Sequence, residues 1–219
     1  MYNPHKNEKG TKDMRTVITI SRQYGSGGRE IGELIAKKLG IPFYDNALIQ
    51  KATEASGFSA AHFEDVEKNA RNSFLYSIVR GIQYHNSNTG IWSLEDSIYM
   101  TQAKVIKELA EAGSCVIVGR CSDYILAEDP DLVKIFVHAP FDDRVKRSIE
   151  RDGFDPDKAA ELVKGKDKRR QNYHNYHADT RWGDAANYDL CINSSLAGIE
   201  GAVDAIVELI KRRETKAGQ

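Results

Sequence analysis

"TVITISRQYGSGGREIGELIAKKLG", residues 16–40, carries three signals in a fixed order. The β-branched run 16–20 predicts a strand buried on both faces. Ile31, Leu34, Ile35 and Leu39 predict an amphipathic helix that stops at Gly40. Between them lie Gly25, Gly27 and Gly28. Glycine permits positive φ and close approach of backbone, so such a turn can aim its N–H groups inward as an anion nest at a helix N-terminus. The phosphate-binding pattern G-x-x-x-x-G-K-[ST] is nevertheless incomplete. With Gly28 as the last glycine, Arg29 takes the lysine's place and Glu30 that of the hydroxyl residue; one residue over, Gly28 itself stands where the lysine belongs. Two readings stay open on the glycines alone: a phosphate cradle, or a tight strand-to-helix connection holding no ligand. Ser21, Arg22 and Arg29 tilt the balance toward an anion, because a guanidinium is always charged and grips phosphate oxygens with a planar fork.

Outward from this stretch, "CVIVG" (115–119), "LVKIFVH" (132–138) and "YDLCIN" (188–193) read as further buried strands, and "IPFYD" (41–45) as a weaker one. Helical patterns separate them, with Val105, Ile106 and Leu109 on one face and Ile199, Val203, Ile206, Val207 and Ile210 closing the chain. Alternation of this kind predicts an α/β three-layer sandwich around a five-stranded parallel sheet. Two excursions, 56–95 and 152–187, break the alternation; long departures from a compact domain are commonly functional covers. The chain is 219 residues long and 41% hydrophobic, enough for one such domain with insertions. With 31 basic against 32 acidic residues, the net charge of −1 gives no global field for nucleic acid or an anionic membrane. Cys115, Cys121 and Cys191 are well separated, which fits packed thiols rather than a disulfide framework or a zinc site. No apolar run approaches the roughly 20 residues of a membrane span, and the polar residues 1–14 are expected to form a disordered tail on a cytoplasmic protein.

The stretch 17–45, "VITISRQYGSGGREIGELIAKKLGIPFYD", resembles the opening of the cytidylate kinase-like family of P-loop proteins and, more distantly, true bacterial cytidylate kinases. "CVIVGRCSDYILAEDPDLVKIFVHAPFDDRVKR" (115–147) is similar to their Gly-Arg phosphate-binding turn and fourth strand, and "DKRRQNYHNYHADTRWGDAANYDLCINSS" (167–195) to their lid and fifth strand. The likeness runs from about Thr16 to Ile210, leaving out much of 56–95. It implies a P-loop nucleoside-monophosphate-kinase fold across 15–219, with a helical acceptor-binding insert (56–95) and a lid (152–187). It also implies ATP and magnesium as requirements and CMP or dCMP as acceptor. The sequence departs from true cytidylate kinases at Gly28, opposite their lysine, at His138, opposite an aspartate, and in the irregular "DKRRQNY" of the lid.

Gly25, Ser26, Gly27, Gly28, Arg29 and Glu30 would hold the nucleotide's phosphates, and Ser26 or Glu30 would serve magnesium directly or through water. Arg120 follows a glycine at the carboxyl end of a buried strand, where open α/β sheets gather ligands; the resemblance has it hold the acceptor monophosphate, against the alternative of a capping or surface arginine. The resemblance sets Asp45 and Asn46 beside the acceptor, and Arg22 and Arg181 are expected as further substrate contacts; Asp45 can equally be a plain helix-start residue, with Asn46 opening the next helix as a cap. In "KGKDKRR" (164–170) a solvated helix face competes with lid arginines that cross to the transferred phosphoryl group; Arg169 and Arg170, with Arg29 and Arg120, are the catalytic candidates. His174 and His177 are expected on the lid surface rather than on a metal. The function expected is an ATP-dependent phosphotransferase, monomer or homodimer, with no nucleic-acid or membrane partner. Its competitors are a nucleotide-binding regulator without transfer and a kinase with a different small-molecule acceptor.

Overall fold

The computed structural model describes residues 15–55 and 94–217. The expected tail (1–14) and nearly all of the expected acceptor-binding insert (56–95) lie outside the described residues. Five strands, β1 (Val17–Arg22), β2 (Phe43–Tyr44), β3 (Cys115–Val118), β4 (Leu132–His138) and β5 (Leu190–Asn193), form one sheet in the order β2-β3-β1-β4-β5. Every pair is parallel, with Val17 opposite both Cys115 and Leu132. The three-layer arrangement expected from the strand–helix alternation is the one observed.

The alternation of side chains along β1 explains the layers. Ile18 and Ile20 face α1 (Gly28–Leu39) and α7 (Gly198–Ala217), where Ile31, Ile35, Val203, Ile206 and Ile210 complete a buried cluster. Val17 faces the other way, toward α2 (Asn46–Ala55) and α3 (Leu94–Glu111), packing with Ile49, Ile106 and Ala110. Each of these isoleucines is fully buried, a stabilisation of about 1.5–3 kcal/mol apiece, and together they fix β1 at the centre of the sheet. The position of β1 matters for function because the glycine loop leaves its carboxyl end.

The remaining helices crowd that same edge. A single turn, α4 (Ser122–Ile125), follows β3; α5 (Phe141–Asp152) follows β4; and α6 (Pro156–His177) then runs back over the loop. Asp155 caps α6 by accepting from the Asp157 N–H, with Pro156 in the first turn where it needs no donor. Helix α6 continues through the whole basic run to His177, and a 3-10 turn (Ala185–Asn187) leads into β5. No described helix is long and apolar enough to cross a membrane.

Candidate active site

The loop between β1 and α1 turns on two glycines held in the left-handed region. Gly25 and Gly27 adopt φ of 75° and 81°. A Cβ on Gly25 would lie 2.4 Å from the Arg144 carbonyl oxygen, and one on Gly27 2.3 Å from Ile199 Cδ1. Ser26 is buried, donating its hydroxyl to the Gln23 carbonyl at 2.8 Å, and its own carbonyl accepts from Ser194 Oγ at 2.6 Å. The N–H groups of Gly27, Gly28 and Arg29, at the entry to α1, meet no acceptor among the described residues. This is the physical content of an anion nest: aligned donors at the positive end of a helix.

A charged strut braces the loop from outside. Arg144 is buried; its Nε donates to the Ala139 carbonyl at 3.1 Å, and its Nη1 to the Tyr24 carbonyl at 3.1 Å and to Asp167 Oδ2 at 2.5 Å. The other Asp167 oxygen accepts from the Tyr24 N–H at 2.6 Å. Arg147 Nη1 reaches the Gly25 carbonyl at 2.5 Å, and Arg170 Nη1 the Arg22 carbonyl at 3.1 Å. Helix α6 is therefore fastened to the loop through the one acid in its basic run. Nothing within "KGKDKRR" marks Asp167 out, because its role depends on an arginine 23 residues away.

Beside the loop, at the carboxyl ends of β1 and β3, opens a cavity of about 230 Å³. Arg22, Asn46, Arg120, Arg169 and Arg170 all line it, together with Tyr173. Arg120 arrives there through an unusual backbone: Gly119, Arg120 and Cys121 have consecutive φ of 83°, 56° and 53°. For a residue with a Cβ the left-handed region costs roughly 1–2 kcal/mol, and such strain gathers at functional sites. The Arg120 guanidinium sits 5.8 Å from the Tyr173 ring centre. Arg22 is partly buried and forms no ion pair among the described residues. Desolvation, then the nearby charges of Arg170 and Arg120, hold its guanidinium well below the ordinary arginine range, against Asp45 and Asp123. The cavity thus concentrates positive charge that the protein leaves largely uncompensated at Arg22.

Other expected site residues lie elsewhere. Arg29 is exposed on α1, bonded through Nε to Asp45 and through Nη1 to Glu33, both at 2.9 Å; it does not reach the cavity. Glu30 is exposed on the same turn, and Arg181 is exposed beyond the end of α6. Asp45 acts as the cap of α2, accepting from the Ala47 and Leu48 N–H groups as well as from Arg29. Burial raises its pKa, but the Leu48 amide and Arg29 outweigh that, and the carboxyl lies below its ordinary value. Asn46, expected as a possible cap, is instead the first residue of α2 and turns to the cavity; its Oδ1 is buried with no partner among the described residues.

Two histidines differ from their expected surface placement. His174 is buried with Nε2 at 3.3 Å from Asp123 Oδ2, and the same carboxylate oxygen accepts from Ser21 Oγ at 3.3 Å. His177 stacks on Tyr99 with ring centres 3.9 Å apart. The Ser21–Asp123–His174 group forms the polar floor between β1, α4 and α6. Nothing local in "SDY" or "YHNYH" signals it, because each member needs the others across the fold. Among the described residues there is no cluster of three or more metal-ligating side chains.

The sequence profile of the cytidylate kinase-like family matches residues 17–196. A cytidylate kinase of Methanobrevibacter smithii is 26% identical over 200 residues, covering 89% of this chain and 98% of its own. That of Ignicoccus hospitalis is 25% identical over 206 residues, covering 90% and 98%. Among solved structures, an uncharacterized protein from Eubacterium ventriosum superposes with a TM-score of 0.65 at 28% identity, covering 90% of this chain and 99% of its own. Shikimate kinase from Bacteroides thetaiotaomicron, at a TM-score of 0.51 and 16% identity over 90% of this chain and 99% of its own, shares the fold.

Proposed function

Because the chain belongs to the cytidylate kinase-like family, we propose that it transfers a phosphoryl group from ATP to a nucleoside monophosphate, CMP or dCMP before others. The observation that carries this reading is the convergence of Arg22, Arg120 and Arg170, from three separate elements, on one cavity beside unpartnered loop amides. Donor and acceptor together bring several negative charges into one place, and catalysis of their reaction consists mainly of alignment and charge neutralisation. The amides at Gly27, Gly28 and Arg29 suit the donor's phosphate tail. Arg120 suits the acceptor's phosphate, and Asn46 and the Tyr173 ring suit its base.

In the reaction an acceptor phosphate oxygen bonds to the γ-phosphorus, the bond from that phosphorus to its bridging oxygen breaks, and ADP leaves with the electron pair. Arg169 and Arg170, on α6, face the cavity where charge gathers during the transfer. Helix α6 acts as the lid, and its tie to the loop through Asp167 excludes water and holds these arginines in register. Magnesium would supply charge neutralisation on the phosphates. Ser26 is committed to a backbone carbonyl and Glu30 is exposed, so an ion held chiefly by nucleotide oxygens and water fits this site best.

An ADP-release assay across all nucleoside monophosphates with magnesium tests the proposal. Turnover highest with CMP or dCMP is the expected result; no turnover with any acceptor overturns it. Calorimetric ATP binding without turnover would identify a nucleotide-binding regulator, and turnover confined to a non-nucleotide acceptor a small-molecule kinase.

A further inference from the structure

Arg22 and Gly28 stand in a reciprocal relation. If Gly28 is the lysine position of G-x-x-x-x-G-K, Gly27 is the last glycine and the first glycine falls on Arg22. The sequence has exchanged the two: a glycine where the cation belongs and a cation where the glycine belongs. Geometry makes the exchange physical. A Cβ added to Gly28 would lie 2.6 Å from Arg22 Cβ and 2.9 Å from its Cγ, so the arginine stem fills the space that a side chain at 28 would need. Gly28 is not held in a left-handed conformation, so the obstacle there is Arg22, with Val137 Cβ at 3.3 Å, rather than the backbone. At the far end, a Cβ on Gly119 would lie 2.2 Å from Arg22 Nη1. The side chain therefore runs from the mouth of the nest, across Gly28, to the turn that presents Arg120.

We propose that Arg22 is the catalytic cation of this site, carrying from the end of β1 the charge that related loops place on the first residue of the helix. This rests on the phosphotransferase reading above. On that reading the transferred group passes between the nest and Arg120, and the Arg22 guanidinium lies along that path. A planar fork there can span an oxygen of each nucleotide, whereas an ammonium is a point charge. Arg170 donates to the backbone carbonyl of Arg22, so the closing helix is tied to the strand end from which the cation leaves.

The test is to reverse the exchange. Four variants are compared with the unaltered chain: Arg22→Met, Arg22→Gly, Gly28→Lys and the double variant Arg22→Gly/Gly28→Lys. Three readouts are taken: kcat, KM for each substrate, and calorimetric affinity for pyrophosphate. Arg22→Met keeps the stem over Gly28 and removes the charge; it should lower kcat by about 10²–10³-fold, the scale seen when one transition-state donor is lost. Its melting temperature should stay near that of the unaltered chain. Gly28→Lys alone should melt earlier, because its stem meets that of Arg22. The double variant should recover at least about tenfold of the rate and pyrophosphate affinity lost in Arg22→Gly. Arg22→Met with unchanged kcat and pyrophosphate affinity would overturn the proposal, as would a stably folded double variant no better than Arg22→Gly. If the unaltered chain turns over no monophosphate, the phosphotransferase reading fails. The pyrophosphate series still judges the exchange: restored affinity in the double variant upholds it as the loop's anion-binding cation, and none rejects it.

Discussion

Arg22 and Arg29 flank the same glycines, seven residues apart, and meet opposite surroundings. Arg29 lies along the outside of α1, satisfied by two carboxylates and more than half exposed. Arg22 lies at the end of the central strand, facing a cavity with two more arginines near it and no carboxylate in ion-pair contact among the described residues. Near one glycine loop, then, the chain holds one arginine whose charge is spent on the protein and one whose charge is left for something else. Proximity in sequence to a phosphate loop says little about which is which. What decides is whether the side chain leaves from a strand end, which opens onto the cavity, or from the outer face of the helix, which does not.

The largest effect that would sharpen this contrast is expected at Arg120, which shares the cavity with Arg22. Arg120→Ala should lower kcat/KM for the acceptor by about 10³-fold, the low end for removal of a phosphoryl-site arginine, with the Michaelis constant for ATP little changed. Steady-state kinetics with each substrate varied in turn measures it; an ATP-side defect alone would put Arg120 with the donor and break the assignment. Next comes the strut. Asp167→Ala leaves Arg144, only 8% exposed, without its carboxylate, and should cost about 3–5 kcal/mol in denaturant unfolding. A loss under about 1 kcal/mol would show that α6 is not fastened to the loop in solution.

The layers and the loop were legible because they depend on local pattern. β-branched runs, helical periodicity and glycine spacing each act over a few residues, and their order suffices to predict a parallel sheet with a nest at its edge. Arg120 was legible for a related reason: it follows a glycine at a strand end. The ownership of charge was not. Arg29 looked like a lysine substitute by adjacency, yet Asp45, 16 residues on, claims it. Asp167, Asp123 and His174 owe their roles to partners 23 to 143 residues away, which no window along the chain can see.

Two smaller effects probe the outer half of the comparison. Asp45→Asn retains an acceptor for the cap of α2 but removes the charge paired with Arg29. Because the folded Asp45 pKa lies below its unfolded value of about 3.9, its stabilisation is complete above that pH and is lost as pH falls through the lower folded value. Unfolding titrations should therefore show the unaltered chain ahead by up to about 1 kcal/mol at pH 6 and the gap closing below pH ~4. A gap that widens toward acid would mean that the carboxylate is not stabilised in the folded state.

Arg29→Ala should do least of all. Its pair with Glu33 joins side chains that are each 57% exposed, and its pair with the partly buried Asp45 is open to solvent on the arginine side, so the two contribute about 0–1 kcal/mol each. Since its guanidinium does not reach the cavity, removing it should leave kcat within about threefold, where loss of a charge aimed at the reacting phosphate would cost about 10²-fold or more. The backbone N–H of residue 29 survives the substitution, so the nest stays whole. That separation makes the variant decisive despite its small expected effect: a rate collapse in Arg29→Ala would mean that the side chain abandons Asp45 and Glu33 and swings to the phosphates when nucleotide binds. The outer arginine would then share the work assigned here to Arg22, and the contrast between the two would describe only the resting enzyme.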